Sequence, residues 1–370
     1  MKIIEYFENL ETTTEYNGYY YNVGEAVSII IMGLLCGLEN VSQIPQWATS
    51  EKVSIFLDER FGISKIPCYY WLLCLLKMIK PESMNKCFTE WVSSMIPDNR
   101  DGIAISLDGK TIRSTVKDGS RKDPLHIVSA QVAGTGMTLS QKTVDHKSNE
   151  IPAVQELLEE MDIAGCMIVA DALNCQKKTA EAVIRGGADY MLDAKDNQKN
   201  LKREIQEYVK DDELRKEMDS AEILEKNRER TEKRTAYCTN DIGWMTYGKE
   251  WKSISCIGAV RLQVESEKGN SDEWHYYISS RKLTAEEMLK YARCEWSVET
   301  MHWLLDVHFR EDYCRILNGD AQQNLNMLRK TALNMVKRFK QNKKSKLALS
   351  KIMFNCLLDT NALLDILSEN

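Results

Sequence analysis

Three acidic residues stand at points where the surrounding sequence gives them little structural purpose. Ile103, Ile105 and Leu107 alternate with smaller or polar residues, the period of a strand with one buried face, and the strand runs into Asp108-Gly109-Lys110. Cys166 to Ala170 is an apolar strand that ends at Asp171. Glu299 falls mid-helix in the aromatic-rich segment WSVETMHWLLDVHF. If the two strands are neighbours in one sheet, Asp108 and Asp171 converge on one edge, and the long interval before Glu299 has room for inserted strands. Three oxygen donors with no nearby cysteine or histidine pair suit hard cations, Mg²⁺ or Mn²⁺. Two such ions about 4 Å apart can activate a water or a sugar hydroxyl and stabilise the leaving oxygen of a phosphodiester. Each residue also has a plainer explanation. Asp-Gly is a common hairpin signal, Asp171 can cap the next helix, and Glu299 can pair with Arg293. Lys110, adjacent to Asp108 in the strand, is expected to point away from it and is left out of the site.

The elements that must position these groups belong to a chain of 370 residues, enough for two or three domains. Its 43% hydrophobic and 28% charged residues are those of an ordinary soluble protein. The first residues lack a signal-peptide charge pattern, and the most apolar run, Ile29 to Leu38, is too short to span a bilayer. Eleven cysteines with no C-x-x-C pair point to reduced thiols in a cytosolic protein. The net charge of −6 is unevenly spread: residues 1–98 hold twelve acidic and seven basic side chains, whereas 321–351 hold nine basic and no acidic ones. The basic stretch points to a polyanion partner or to a solvated helix face.

Residues 1–98 read as short helices marked off by prolines. From Asp101 onward strands dominate, with a hairpin at His126 to Ala133 and Met137 to Val144 around Gly134-Thr135-Gly136. Helix, strand, helix and strand come next, which implies a mixed sheet with helices on its faces. Asn197 is placed as the cap of a long charged helix reaching about Glu217. Residues from about 222 to 283 read as a strand-rich insertion, and Thr284-Ala-Glu-Glu287 is a capping box. Leu289, Ala292, Trp296, Trp303 and Val307 form the apolar face of the helix it opens, and a basic helix from about Ala321 to Lys340 precedes a short tail.

The strings AISLDGKTIR, PLHIVSAQV, KTVDHKSNEIPAVQELL, ADALNCQK, GGADYMLDAKDNQ, YYISS, WSVETMHWLLDVHFRED and NLNMLRKTALNMVK occur in order from about 104 to 337. With them the chain resembles the H-repeat-associated (ISAs-type) transposases of bacterial insertion sequences, within the DDE superfamily. The resemblance implies an RNase H-like α/β core at 99–340, a strand-rich insertion before the last catalytic helix, an N-terminal helical domain at 1–98, and a basic segment and tail at 341–370. It also implies Asp108, Asp171 and Glu299 as the catalytic metal ligands, holding two Mg²⁺ or Mn²⁺ ions.

The same resemblance implies helper roles. His302 and Asp306 share a helix face with Glu299 and are candidates to orient a ligand. Lys147, Asn149, Lys195 and Asn197 match family positions near the sheet edge, where they hold phosphate or cap loops. Arg329, Lys330, Lys337, Arg338 and Lys340 are the candidate DNA-backbone contacts. Two departures stand out. Glu295 and Asp306 occupy places where broader DDE relatives carry basic residues, and Cys68, Trp71 and Leu73 replace a polar run near the N-terminus. The expected activity is metal-dependent strand cleavage and transfer at the ends of an insertion sequence, by a cytoplasmic, nucleoid-associated homodimer on double-stranded DNA, without a membrane. The competing readings are a catalytically decayed DNA-binding or interaction protein, and a general nuclease on the same core.

Overall fold

The computed structural model describes residues 2–14, 20–97, 99–113, 115, 124–144, 150–227, 230–267 and 269–369. Six helices open the chain: α1 (Lys2–Phe7), α2 (Val23–Leu35), α3 (Gln43–Ala48), α4 (Glu51–Phe61), α5 (Tyr69–Met78) and α6 (Pro81–Ser93). α2 is apolar nearly all round and correspondingly buried, with Asn22 as its cap accepting from the Glu25 N–H at 3.0 Å. Gly62, in the left-handed region at φ 69°, ends α4.

The central sheet holds β1 (Ala104–Thr111), β2 (His126–Val132), β3 (Met137–Val144), β4 (Met167–Ala170), β5 (Asp189–Asp193), β6 (Asp219–Asn227), β7 (Arg230–Thr239), β8 (Cys256–Ser266) and β9 (Ser271–Ser279). Its order is β3-β2-β1-β4-β5-β9-β8-β7-β6. β1, β4 and β5 run parallel and the other pairings are antiparallel, so the sheet is mixed. The strand-rich segment begins at Asp219 and is no separate body, because β9 pairs with β5 and the whole meander extends the first five strands. α7 (Glu150–Glu160), α8 (Lys177–Arg185) and α9 (Lys199–Lys210) flank the sheet. The long charged helix expected after Asn197 is broken: α9 ends at Asp211, which caps the short α10 (Asp212–Glu217).

One face of the sheet is crossed by α11 (Ala285–Phe309), which touches β1, β4, β6, β7 and β8. Its capping box at Thr284 and Glu287 is formed. The helix lies so close to the sheet that a Cβ on Gly258 of β8 would stand 2.6 Å from the Met288 sulfur. Its buried stripe runs through Met288, Leu289 and Ala292 and then Val298, Met301, Leu305 and Phe309. Trp303 and Val307, expected on the buried face, are instead exposed, because the buried side changes along α11: Met288, Leu289 and Ala292 pack into the smaller core with β7 and β8, whereas Val298, Met301, Leu305 and Phe309 join the larger one on another side of the helix. The Trp296 side chain lies outside the described residues.

The C-terminal region departs most from expectation. α12 (Gly319–Asn342) is buried on almost every side from Ala321 to Val336, between the N-terminal helices and β3. Its polar residues meet polar partners: Asn324 donates to the Leu76 and Ile79 carbonyls at the end of α5 (2.9 and 2.8 Å), and Asn334 is paired with both backbone groups of Thr138. The expected tail folds into α13 (Leu349–Leu358) and α14 (Thr360–Ser368), packed on α2, α4 and α12. The N-terminal helices and the chain's last helices therefore share one apolar core. Among the described residues no helix is long and apolar enough to cross a membrane.

Candidate active site

Strand alternation places the first two acids. Ile105 and Leu107 point into the core under α7, so Ser106, Asp108 and Lys110 face α11. In β4, Ile168 and Ala170 share that core while Met167 and Val169 pack under α11, which puts Asp171 on the same face as Asp108. Parallel pairing of Leu107 with Ala170 then brings the two carboxylates side by side, Asp108 within β1 and Asp171 just past the end of β4, in the middle of the sheet. Asp171 does act as a cap, of the 3-10 turn at Ala172–Asn174, through Oδ1 to the Asn174 N–H (3.2 Å) and amide (3.0 Å). Its Oδ2 accepts no hydrogen bond among the described residues.

Glu299 lies on α11 with an exposed side chain, near enough to Asp108 to act on its charge. Burial, and after it the negative charge of Asp171, pushes the Asp108 carboxyl up to about 7, with Glu150 and Glu299 adding to the rise and the Gly109 N–H opposing it. Asp171 is also raised, first by burial and then by Glu150. Among the described residues no three His, Cys, Asp or Glu side chains are gathered closely enough to hold a cation. The donor chemistry nonetheless fits one: Asp171, Glu150 and Glu299 all push the Asp108 carboxyl up, a repulsion that a hard divalent ion would relieve.

Glu150, at the start of α7, is the residue sequence reasoning missed. It is 4% exposed, contacts His126 Nε2 through Oε2 at 2.8 Å, and accepts from the Asn174 amide at 3.2 Å. His126 in turn meets the Thr111 hydroxyl at 2.9 Å. Thr111, His126, Glu150, Asn174 and Asp171 thus form one chain of contacts beneath the strand ends. The signal was Gly109: it faces α7, where a Cβ would collide with the Glu150 carboxylate. The Asp-Gly pair is a strand position with a required gap, and no hairpin turn.

On the other side of β1, His302 Nδ1 stands 3.4 Å from Asp108 Oδ2. Burial, with Lys330 and Lys110 nearby, pushes the imidazole down to about 3, so the ring is neutral at physiological pH. Its Nε2 is buried without a hydrogen bond. Asp306 is drawn away to Lys110 Nζ at 2.6 Å, and Lys110 also reaches Glu311 at 2.5 Å. The expectation that Lys110 points away from the site is therefore corrected: residues two apart share a strand face, and Lys110 faces the helix that carries Glu299.

The remaining candidates divide. Asn197 donates to the carbonyls of Ala172 and Cys175 and so braces the turn after Asp171. Lys195 pairs with the buried Asp193 at 3.0 Å, and burial with the Asp193 charge pushes the Glu295 carboxyl up, where Tyr277 donates to it at 3.2 Å. Lys147 and Asn149 lie outside the described residues. For Lys330 and Lys337 the expected phosphate contact is corrected, because protein acceptors hold both ammonium groups. Lys330 is 2% exposed and donates to Ser129 (2.7 Å) and Gln141 (2.6 Å), and Lys337 donates to the Gly136 carbonyl (2.5 Å), whereas Arg329, 4% exposed, has no such acceptor among the described residues. Arg338 and Lys340 are half-buried.

Comparison with known proteins shows the family. Residues 99–335 match the family described as Transposase DDE domain, and residues 4–92 match its associated N-terminal family. The H repeat-associated putative transposase YhhI of Escherichia coli K12 is 33% identical over 311 residues, 82% of this chain and 81% of that one. The putative protein YbfL of the same strain is 33% identical over 310 residues, again 82% and 81%. A putative transposase, YncI of Escherichia coli O157:H7, is 33% identical over 69% of this chain and 67% of its own. A piggyBac transposase synaptic complex with hairpin DNA aligns with 99% of this chain and 79% of its own at 12% identity and a TM-score of 0.42, too distant to bear on the site. By family match and by relatives alike, this chain belongs to the DDE transposases.

Proposed function

We propose that the protein is a transposase that cuts and joins double-stranded DNA at the ends of its own insertion sequence, through an RNase H-like core in which Asp108, Asp171 and Glu299 hold two Mg²⁺ or Mn²⁺ ions. The observation that carries this reading is the parallel register of Leu107 with Ala170, which sets two carboxylates side by side under the helix bearing the third. The bound ions supply Lewis acidity toward the scissile phosphodiester. The chain's own groups do the positioning. Asn174 restrains Asp171 through Oδ1, while the neutral His302 sits against Asp108 Oδ2 and limits its rotation, so that both carboxylates would be held ready for the ions. Hydrolysis frees a 3′-hydroxyl, and the same three carboxylates serve its attack on target DNA, an in-line displacement in which positioning and charge stabilisation dominate. Pairing two ends calls for a homodimer on DNA, acting on the nucleoid in the cytoplasm.

The test is nicking of a duplex carrying the terminal repeats that flank the coding sequence, with and without Mg²⁺ or Mn²⁺. Cleavage should require the divalent ion and vanish in Asp108→Ala. Equal nicking by Asp108→Ala would overturn the assignment.

A further inference from the structure

A cleft of about 850 Å³ opens between α5, the connection from α11 to α12, and α12 itself. Its floor carries Arg329, 4% exposed, whose guanidinium makes no hydrogen bond or ion pair with any described residue and whose Nε is shut off from solvent. Guanidinium stays protonated in proteins, and a buried charge without a partner is costly. Nothing in the described fold compensates this one. Lys77, Arg310 and Arg315 line the same cleft, against a single carboxylate, Glu39, which Arg310 already engages at 2.7 Å. Tyr69 and Tyr313, 44% and 73% exposed, stand at its wall.

We propose that this cleft is a second DNA-contact site, in which a backbone phosphodiester docks on Arg329 and an adjacent unstacked base lies against Tyr69 or Tyr313. The proposal rests on the transposase reading for its choice of polyanion. A planar, buried guanidinium beside exposed tyrosines matches a phosphate joined to a base better than a bare anion. Position agrees with this: Arg310 directly follows α11, eleven residues beyond Glu299, or about 16 Å along a helix, roughly five nucleotide steps of a duplex strand. The site also explains why a helix this buried keeps an arginine that pairs with no described residue.

The experiment compares wild type, Arg329→Met and Arg315→Gln in binding a fluorescein-labelled terminal-repeat duplex with a single-stranded tail, in EDTA and over a salt series, with melting temperatures alongside. Arg315 is exposed, so its variant keeps the test valid if Arg329→Met folds poorly. Arg329→Met should melt at or above wild type, bind about tenfold or more weakly, and lower the salt slope by about one. Arg315→Gln should lower affinity and slope at an unchanged melting temperature. The inference falls if Arg329→Met binds with wild-type affinity and slope, or if Arg315→Gln leaves both unchanged. It also falls if inorganic tripolyphosphate raises the wild-type melting temperature but does not displace the duplex, since the cleft then takes free polyphosphate. Divalent-dependent nicking by wild type alongside any of these results would leave the transposase reading standing. Wild type that neither binds nor nicks the duplex would remove both.

Discussion

Gly109 and Glu150 are fitted to each other: a Cβ on Gly109 would overlap the Glu150 carboxylate and stand 2.7 Å from His126 Nε2. The absence of a side chain at Gly109 lets a buried acid–imidazole pair lie directly under the strand that carries Asp108. Gly109→Ala is expected to push that pair out of place, costing about 1–3 kcal/mol of stability as an overpacked site, and to depress nicking more than stability alone explains. Denaturant unfolding and nicking rate on the same preparation check this. A variant with wild-type unfolding and rate would show that the contact is slack.

His302 touches Asp108 with one nitrogen and leaves the other buried without a partner. His302→Phe fills the space and removes the orphaned atom, so the melting temperature should hold or rise. The divalent concentration for half-maximal nicking should climb about ten- to a hundredfold, the usual effect of losing a group that orients a metal ligand. A metal requirement equal to wild type would restrict His302 to packing.

Lys110 neutralises Glu311, whose side chain is 1% exposed. Lys110→Met leaves that carboxylate buried and unpaired by a cation, a loss of about 3–5 kcal/mol for a buried ion pair broken from one side. The double variant Lys110→Met/Glu311→Gln should recover much of it. Urea midpoints of the three proteins make the measurement, and additive losses would argue against a buried pair.

Burial pushes the Lys337 ammonium down to about 8 from 10.5. The native state thus binds fewer protons than the unfolded chain between about pH 8 and 10.5, and this residue's contribution to stability rises with pH across that window. Below pH 8 the buried charge is a constant burden. Lys337→Met should therefore be the more stable protein at pH 7, by about 1–3 kcal/mol at most, and the advantage should shrink toward pH 10. A difference in melting temperature that is flat with pH would contradict the sign.

Much of the site's scaffolding is legible locally. The alternation of Ile105 and Leu107 places Asp108 in a strand, the apolar run before Asp171 ends at the right point, and Thr284 with Glu287 starts α11. These patterns reflect which face of an element is buried, and burial leaves a period in the chain. The misplaced residues have another cause. Trp303 is exposed because the two halves of α11 bury different sides, each against its own core, which a single periodic face cannot represent. Lys330 and Lys337 look like a solvated basic face because charge is counted along the sequence, whereas their partners Ser129, Gln141 and Gly136 lie 201, 189 and 201 residues away.

The sequence by itself determined the kinds of element, the strand ends that carry acids, and through its motifs the family. Only the tertiary structure decided what surrounds those acids: Glu150 and His126 beneath Gly109, Lys110 turned toward α11, and α12 buried between helices and sheet with Arg329 open to a cleft. The physical reason is range. Periodicity and capping are settled between near neighbours. The partner of a buried polar group is settled by strand order and helix crossing, which bring distant stretches together and leave no local pattern.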